Sequence, residues 1–296
     1  MKDKNILVVG SIAIDNTIYT KKLPTAGMTT IGDSYFCNVG GKGANQACAA
    51  LFLGASNVSF IGAIGKDKNG EHVKTFLKEQ GLNAYLKESD LPTGVAFITL
   101  EEISAENQIL IIQGANTDLK IEDINKHLDL FKEGDIFLTQ FENSIETVEY
   151  MIKLAKKRGM TVIVNPAPIK KVNDDIYQYI DYLVPNEHEL EALSGSKKVM
   201  EGCRRLLSKG CKNVIATLGD KGSILVNKEM MYEASPHKVN AIDTTAAGDS
   251  YLGALVYKLS KNEDIKIAME FASKCSSLTV TKKGAIVSLP HKEDIV

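Results

Sequence analysis

Short apolar runs alternating with stretches of helical period constrain this chain more than any other feature. That alternation marks a mostly parallel sheet with helices packed on its faces. Ile6-Leu7-Val8-Val9 is the first such run and residues 57–64 are the second, followed by a helical pattern over 71–80 that Gly81 closes. Residues 135–139 read as another strand, leading into a helix over 145–158 closed by Gly159, and further strands are read at 161–164 and 213–217. In open sheets of this kind ligands bind beyond the carboxyl ends of the strands, so the residues following each run are where chemistry is expected. Two stretches break the pattern. Residues 15–38 have no helical period and carry Pro24, Gly27 and Gly32, while 95–100 and 108–113 read as two strands joined by a polar turn rich in Glu, Ser and Asn. Both are expected to stand outside the main sheet as a small β flap over its edge.

A chain of 296 residues is long enough for one large α/β domain or two ordinary ones. Its 44% apolar and 24% charged residues fit a soluble globular protein. A net charge of -2 gives no footing for nucleic acid, whose binding rests on clustered Lys and Arg. The start, Met1-Lys2-Asp3-Lys4-Asn5, runs into only four apolar residues, too few for a signal-peptide core, and no run approaches a membrane span. A cytoplasmic location is therefore expected. Five cysteines, Cys37, Cys48, Cys203, Cys211 and Cys275, show no C-x-x-C pairing, and an odd count points to reduced thiols in the core or on the surface. The five histidines lack H-E-x-x-H or other ligand spacing, so no protein-bound zinc is expected.

The most informative segment is Asp243-Thr244-Thr245-Ala246-Ala247-Gly248-Asp249-Ser250. Leu252, Leu255, Val256 and Leu259 follow at i, i+3, i+4, i+7 spacing, so a helix begins near Gly248. Small residues at its start leave backbone N–H groups open to an anion, which the helix dipole also favours. Asp249, in that first turn, is placed to accept a proton from an attacking hydroxyl. Taken alone, it reads equally as an ordinary helix N-terminal Asp. A second glycine-rich turn, Asn38-Val39-Gly40-Gly41-Lys42-Gly43-Ala44-Asn45-Gln46-Ala47, feeds a helix that stops at Gly54. It matches neither G-x-x-x-x-G-K-[ST] nor G-x-G-x-x-G. Its glycines permit close backbone approach to a ligand, and Lys42 and Asn45 offer donors suited to a polyhydroxylated substrate.

Together these segments resemble the ribokinase family of sugar kinases, of the phosphofructokinase-B type, and the resemblance runs through essentially the whole chain. Gly40 to Ala47 is similar to the family's first signature and Asp243 to Leu255 to its second. Between them Gln140-Phe141-Glu142, Asn165-Pro166-Ala167-Pro168 and Pro185-Asn186-Glu187-His188-Glu189 stand in the family's order, and Thr281-Lys282-Lys283-Gly284-Ala285 with Ser288-Leu289-Pro290 resemble its cation-binding and adenine-flanking loop. The resemblance implies a single kinase domain over residues 1–296, a three-layer α/β/α core with a mostly parallel sheet, and a small β-sheet lid at about 14–39 and 94–113. It implies ATP-dependent phosphorylation of the 5-hydroxyl of D-ribose, with ATP, magnesium and potassium as cofactors and a homodimer formed through the lid.

By the same resemblance, Asp15, Gly41, Lys42, Gly43, Ala44 and Asn45 hold the sugar, Glu142 contacts it from the opposite side, and Asp249 is the base. The amides of Ala246, Ala247 and Gly248 form an anion hole for the transferring phosphoryl group. Asn186 and Glu189 position magnesium with ATP through water, although their spacing alone equally describes a strand-to-helix cap. Thr217, Leu218, Gly219, Asp220, Lys221 and Gly222 resemble the nucleotide-binding turn, or by spacing an ordinary hairpin turn, and Ser273 belongs to the same nucleotide set. Asp243, Thr245, Thr279, Lys282, Gly284 and Ser288 match the potassium ligands. One departure bears on the substrate. The ribokinase pattern after the first strand reads Gly-Ser-Ile-Asn-x-Asp, and here Ala13 takes the place of the sugar-binding Asn. A hydroxyl left unpaired there costs about 1–3 kcal/mol. Kinases for 2-deoxyribose, a ketohexose or a nucleoside are therefore alternatives, as is a non-catalytic sugar-binding relative, against which the intact Asp249, Gly248, Asn186 and Glu189 argue.

Overall fold

Four consecutive buried apolar residues, Ile6–Val9, demand a strand covered on both faces. The computed structural model, which describes residues 3–101 and 107–295, places this strand (β1) inside a nine-stranded sheet. The elements that follow are β2 (Ala13–Thr20), β3 (Ser34–Gly40), α1 (Lys42–Phe52), β4 (Val58–Gly65), α2 (Lys68–Glu79), β5 (Asn83–Ser89), β6 (Gly94–Glu101) and β7 (Asn107–Ile112). Then come α3 (Ile121–Asn125), β8 (Ile136–Gln140), α4 (Ile145–Lys157), β9 (Thr161–Asn165), β10 (Tyr182–Leu183), α5 (Glu187–Ser194), α6 (Val199–Ser208) and β11 (Asn213–Thr217). The chain closes with β12 (Ser223–Asn227), β13 (Met231–Ala234), α7 (Ala247–Ser260) and α8 (Ile265–Thr279). The large sheet has the order β13-β12-β11-β10-β9-β8-β1-β4-β5. It is parallel from β5 to β11, and β12 and β13 add an antiparallel edge.

The pleat sorts the core into two layers. Ile6 and Val8 join Ala44, Ala47, Leu252, Leu255 and Met269 on one face, so α1, α7 and α8 cover it. Leu7 and Val9 join Val148, Ile152, Leu190 and Leu206 on the other, under α4, α5 and α6. The result is the expected three-layer α/β/α arrangement. Fully buried side chains such as Phe60, Phe137 and Leu138 each contribute about 1.5–3 kcal/mol relative to exposure. Helices end where the glycines imply, with Gly54, Gly81 and Gly159 all at positive φ. Helix α2 begins earlier than its apolar period, because the Asp67 side chain accepts from the Gly70 N–H at 2.8 Å and caps the turn at Lys68.

Both stretches without helical period form a separate four-stranded sheet, β3-β2-β6-β7. Strand β2 pairs in parallel with β6, and the outer pairs are antiparallel. The polar turn expected between β6 and β7 falls at residues 102–106, outside the described residues. Cys37 is exposed and Cys48, Cys203, Cys211 and Cys275 are buried, all as free thiols. No helix among the described residues is long and apolar enough to cross a membrane.

Candidate active site

The carboxyl ends of β1, β8, β9 and β11 and the start of α7 converge on two cavities that share Lys42, Thr244, Ala246 and Asp249. One, of about 220 Å³, lies beneath the smaller sheet and is lined by Ala13, Asp15, Gly41, Asn45, Glu142 and Thr245, with Ala96, Ile98, Ile109, Ile111 and Ile112 along one wall. The other, of about 200 Å³, is lined by Asn165, Asn186, Glu189, Thr217, Ala247 and Gly248. Asp249 therefore stands at the junction.

Small residues bring its partners close. Gly253, one turn after Asp249 on α7, has no room for a Cβ, which would come within 2.8 Å of the Gln46 carbonyl and 2.9 Å of the Ala50 nitrogen. Helices α1 and α7 thus meet backbone to backbone, and the first turn of α1 reaches Asp249. The Asn45 amide donates to Asp249 Oδ2 at 2.8 Å and the Gln46 amide to Oδ1 at 2.9 Å. Asn45 Oδ1 has no hydrogen-bond partner among the described residues, although Asn45 is buried and lines the cavity under the smaller sheet. An acceptor in that condition is available to a ligand hydroxyl.

The floor of that cavity is backbone. Gly41 sits at φ 91°, and a Cβ on it would come within 2.7 Å of Ile12 Cα. A Cβ at Gly43 would come within 2.7 Å of Gly10 backbone atoms, and one at Gly40 would strike the Asp15 carboxylate. Gly43 and Ala44 do not line the cavity. They pack beneath it, with the Ala44 N–H on the Ser11 carbonyl at 3.0 Å.

Four carboxylates surround one ammonium. Burial, then Glu142, then Asp249 push the Asp15 carboxyl up to about 7, with Lys42 opposing. Burial works against the Lys42 ammonium, but Asp249, Glu142, Glu189 and Asp15 together outweigh it and raise its pKa. Burial also raises the Glu189 carboxyl against its hydrogen bond from the Asn186 N–H. Glu142 accepts from the Ser11 hydroxyl and from the Lys42 N–H at 3.3 Å. Ser11 and Thr244 were invisible as site residues in the sequence, although Ser11 is part of the same Gly-Ser-Ile run as Ala13.

At the turn expected to bind an anion, Ala246 adopts the left-handed conformation at φ 61° and ends the loop one residue before α7. The Ala247 N–H is turned onto the Thr244 carbonyl at 3.3 Å, a long bond that an incoming anion would compete with. Asn186 and Glu189 are a helix cap and cavity lining at once. Each accepts the other's backbone N–H, at 2.8 and 2.9 Å, and the Asn186 amide donates to the second Glu189 oxygen at 3.0 Å.

The remaining residues expected to bind nucleotide divide. Thr217 lines the cavity and bridges to Asn186, whereas Leu218 to Gly222 fold back as the hairpin turn between β11 and β12, Leu218 donating to the Gly222 carbonyl at 2.8 Å. Within that turn Asp220 is exposed, and the Lys221 ammonium pairs with Glu187 at 3.5 Å. Ser273 lines neither cavity, and its hydroxyl donates to the Ser235 carbonyl at 2.9 Å.

Asp243, fully buried, accepts from the Thr245 and Gly284 N–H groups at 2.9 and 3.0 Å and from the Tyr19 hydroxyl at 3.1 Å. Its loop is therefore tied both to the anion-binding turn and to strand β2. Thr279 and Lys282 are joined through the backbone at 3.1 Å, and the Ser288 N–H closes a turn onto Ala285 at 3.1 Å. No group of three or more His, Cys, Asp or Glu side chains among the described residues is placed to hold a metal. A cation at this loop would thus rest on carbonyls and the one spare lone pair of Asp243 Oδ1.

The comparisons with known proteins agree with this geometry. The sequence matches the pfkB family carbohydrate kinase profile over residues 3–292. It is 38% identical over 303 aligned residues to a ribokinase of Schizosaccharomyces pombe, covering 97% of this chain and 95% of that one. It is 35% identical to a deoxyribokinase of Salmonella typhi, covering 98% and 96%. The structure of Arabidopsis thaliana ribokinase complexed with ribose and ATP superposes with a TM-score of 0.86 at 28% identity, covering 99% of this chain and 97% of that one. Fold, convergent cavities and full-length similarity lead to one conclusion: this chain is an enzyme of the pfkB family of carbohydrate kinases.

Proposed function

We propose that the protein transfers the γ-phosphoryl group of ATP to the 5-hydroxyl of D-ribose, with Asp249 as general base. The observation that carries this reading is the position of Asp249, whose carboxylate stands where the two cavities meet and is held on both oxygens by amide donors. The cavity under the smaller sheet would take the sugar. Asp15 and Asn45 Oδ1 would accept from its hydroxyls, with Glu142 opposite. The other cavity would take the triphosphate. Asp249 would receive the hydroxyl proton as the oxygen attacks, and the first-turn N–H groups of α7 with Lys42 would stabilise charge on the transferring group.

Glu189 suits magnesium held through water, because both of its oxygens are already engaged by Asn186 and it faces the same cavity as Lys42. Bound with ATP, magnesium would offset phosphate charge. Potassium at the loop of Asp243, Thr245, Thr279, Lys282, Gly284 and Ser288 would fix the anion-binding turn. The smaller sheet would act as a lid on a single catalytic domain. Its exposed Tyr35, Phe97, Leu110 and Ile112 support a homodimer that buries them.

A second reading has its own observation. Ala13 offers no donor, and its neighbours on the cavity wall are Ala96 and four isoleucines of β6 and β7. An apolar wall tolerates a sugar lacking one hydroxyl, so 2-deoxyribose is the alternative. ADP release with MgATP and ribose, 2-deoxyribose, fructose or nucleosides, each in potassium and in sodium, tests all of this. Ribose-dependent turnover favoured by potassium, from a protein that sediments as a dimer, is the expected result. Preference for 2-deoxyribose would move the substrate to the second reading, and equal rates in both salts would remove the potassium site.

The titration of Asp15 gives a separate expectation. Its folded pKa of about 7 lies above the ordinary aspartate value of 3.8, so the native state holds a proton between those pH values that the unfolded chain has lost. This group's contribution to stability is therefore full below 3.8 and is lost as pH rises through about 7. Sugar hydroxyls donating to the carboxylate favour its ionised form, so sugar affinity should strengthen over the same rise. Calorimetric titration from pH 5.5 to 8 should show proton release on sugar binding, and Asp15→Asn should abolish it.

A further inference from the structure

Three buried amides and the Asp249 carboxylate form a continuous hydrogen-bonded chain at the junction of the two cavities. Gln140, at the end of β8, donates from Nε2 to Gln46 Oε1 at 2.6 Å. Gln46, in the first turn of α1, donates from Nε2 to Asp249 Oδ1 at 2.9 Å and to Asn165 Oδ1 at 3.3 Å. Asn165 in turn donates to the Val184 carbonyl at 3.1 Å. Gln46 and Gln140 are both 0% exposed, and neither lines a cavity.

The chain has a direction. Because Gln140 presents its NH₂ to Gln46, the Gln46 oxygen must face Gln140 and its NH₂ must face Asp249. An amide rotated the other way would set oxygen against carboxylate. The cost of this arrangement falls on Gln140, whose Oε1 has no hydrogen-bond partner among the described residues. It lies against Gly10, where any Cβ would collide with it. A buried acceptor left unpaired is unfavourable, and what it secures here is the orientation of the one amide that reaches Asp249 Oδ1.

We propose that Gln46 and Gln140 are positioning residues for the catalytic carboxylate, a role that rests on the reading of Asp249 as the base. Gln46 holds Oδ1 while Asn45 holds Oδ2, so the carboxylate plane is fixed between α1 and α7. Both partners are neutral amides, so they orient the carboxylate oxygens by hydrogen bonding alone. The charged groups that face Asp249 are Lys42 from α1, Asp15 from β2 and Glu189 from α5, with Glu142 beside Asp15 and Lys42. Three of these four are carboxylates, so the site around Asp249 is already crowded with like groups. The amide chain counters them without adding charge to the site.

The test is the pH profile of kcat at saturating sugar and MgATP, where ligand binding by Asp15 does not enter. In Gln46→Met, loss of the donor should raise the acid limb by about one pH unit and lower kcat about 10-fold, with the sugar KM within about twofold of the parent. Gln140→Met leaves Gln46 free to rotate and should shift the limb the same way by a smaller amount. A role confined to packing would lower the melting temperature and leave the limb in place, and an unmoved limb in both folded variants overturns the proposal. Asp249→Asn separates the two failures. If it is inactive while the limb is unmoved in the glutamine variants, only the amide chain is refuted. If it retains substantial activity, the base assignment falls and the proposal with it.

Discussion

Replacing Asp249 by Asn is expected to lower kcat by about 10²–10⁴-fold, the usual contribution of a positioned general base. The substitution preserves volume in a site that is 6% exposed, so the fold should survive. The new NH₂ fits on the Asn45 side, where the amide can rotate to offer its unpaired Oδ1, while Gln46 stays directed by Gln140. Little stability should therefore be lost. Sugar binding, measured by titration without ATP, should change little beside the loss in turnover. Residual activity within tenfold of the parent would mean that some other group takes the proton.

Lys42→Met should have the second-largest effect. It removes the cation that Asp249, Glu142, Glu189 and Asp15 all face. Four carboxylates would then confront one another across two cavities without the ammonium that all of them face. A loss of about 10²–10³-fold in kcat/KM is expected, comparable with deleting one preorganised stabiliser of developing charge. The sign of the accompanying pH effect follows from the same field. Without the ammonium, the Asp15 and Glu189 carboxyls, which burial already raises and Lys42 opposes, shift further towards their neutral forms, so the variant should lose stability relative to the parent as pH rises from 5 to 8. A denaturation series across that range checks this. A uniform loss at every pH would show that the methylene stem of Lys42, and not its charge, was responsible.

Much of the architecture was legible because it rests on local patterns. The apolar runs at β1, β4, β8, β9 and β11 announced themselves, and the absence of helical period in 15–38 placed β2 and β3 outside the main sheet. The short strand Tyr182–Leu183 and the antiparallel edge of β12 and β13 were not read from the sequence. Two residues are too few to carry a period, and edge strands carry mixed burial. The site divided along similar lines. Asp15, Lys42, Asn45, Glu142 and Asp249 converge as their motifs implied. Ser273 does not line the cavity, because its hydroxyl is committed to the backbone of Ser235. Ser11 gave no signal of its own, and Gln46 and Gln140 stood inside quoted motifs without any role being legible for them. Their importance comes from contacts between elements about 90 to 200 residues apart in the chain, such as Gln46 with Asp249, and no spacing rule reaches across such separations.

The tight glycine floor beneath the smaller sheet divides the pocket into a part that can drift and a part that cannot. A single added carbon at Gly40, Gly41 or Gly43 runs into Asp15, Ile12 or Gly10, so variation there is closed. The opposite wall, from Ala13 to the isoleucines of β6 and β7, consists of side chains that exchange for one another without moving backbone. Changes of acceptor in a lineage of such enzymes would accumulate on that wall, leaving the phosphoryl-transfer machinery untouched. For redesign the same asymmetry is a guide: a library confined to Ala13, Ala96, Ile98 and Ile111 reshapes this cavity while leaving Asp249 and its amide partners in place.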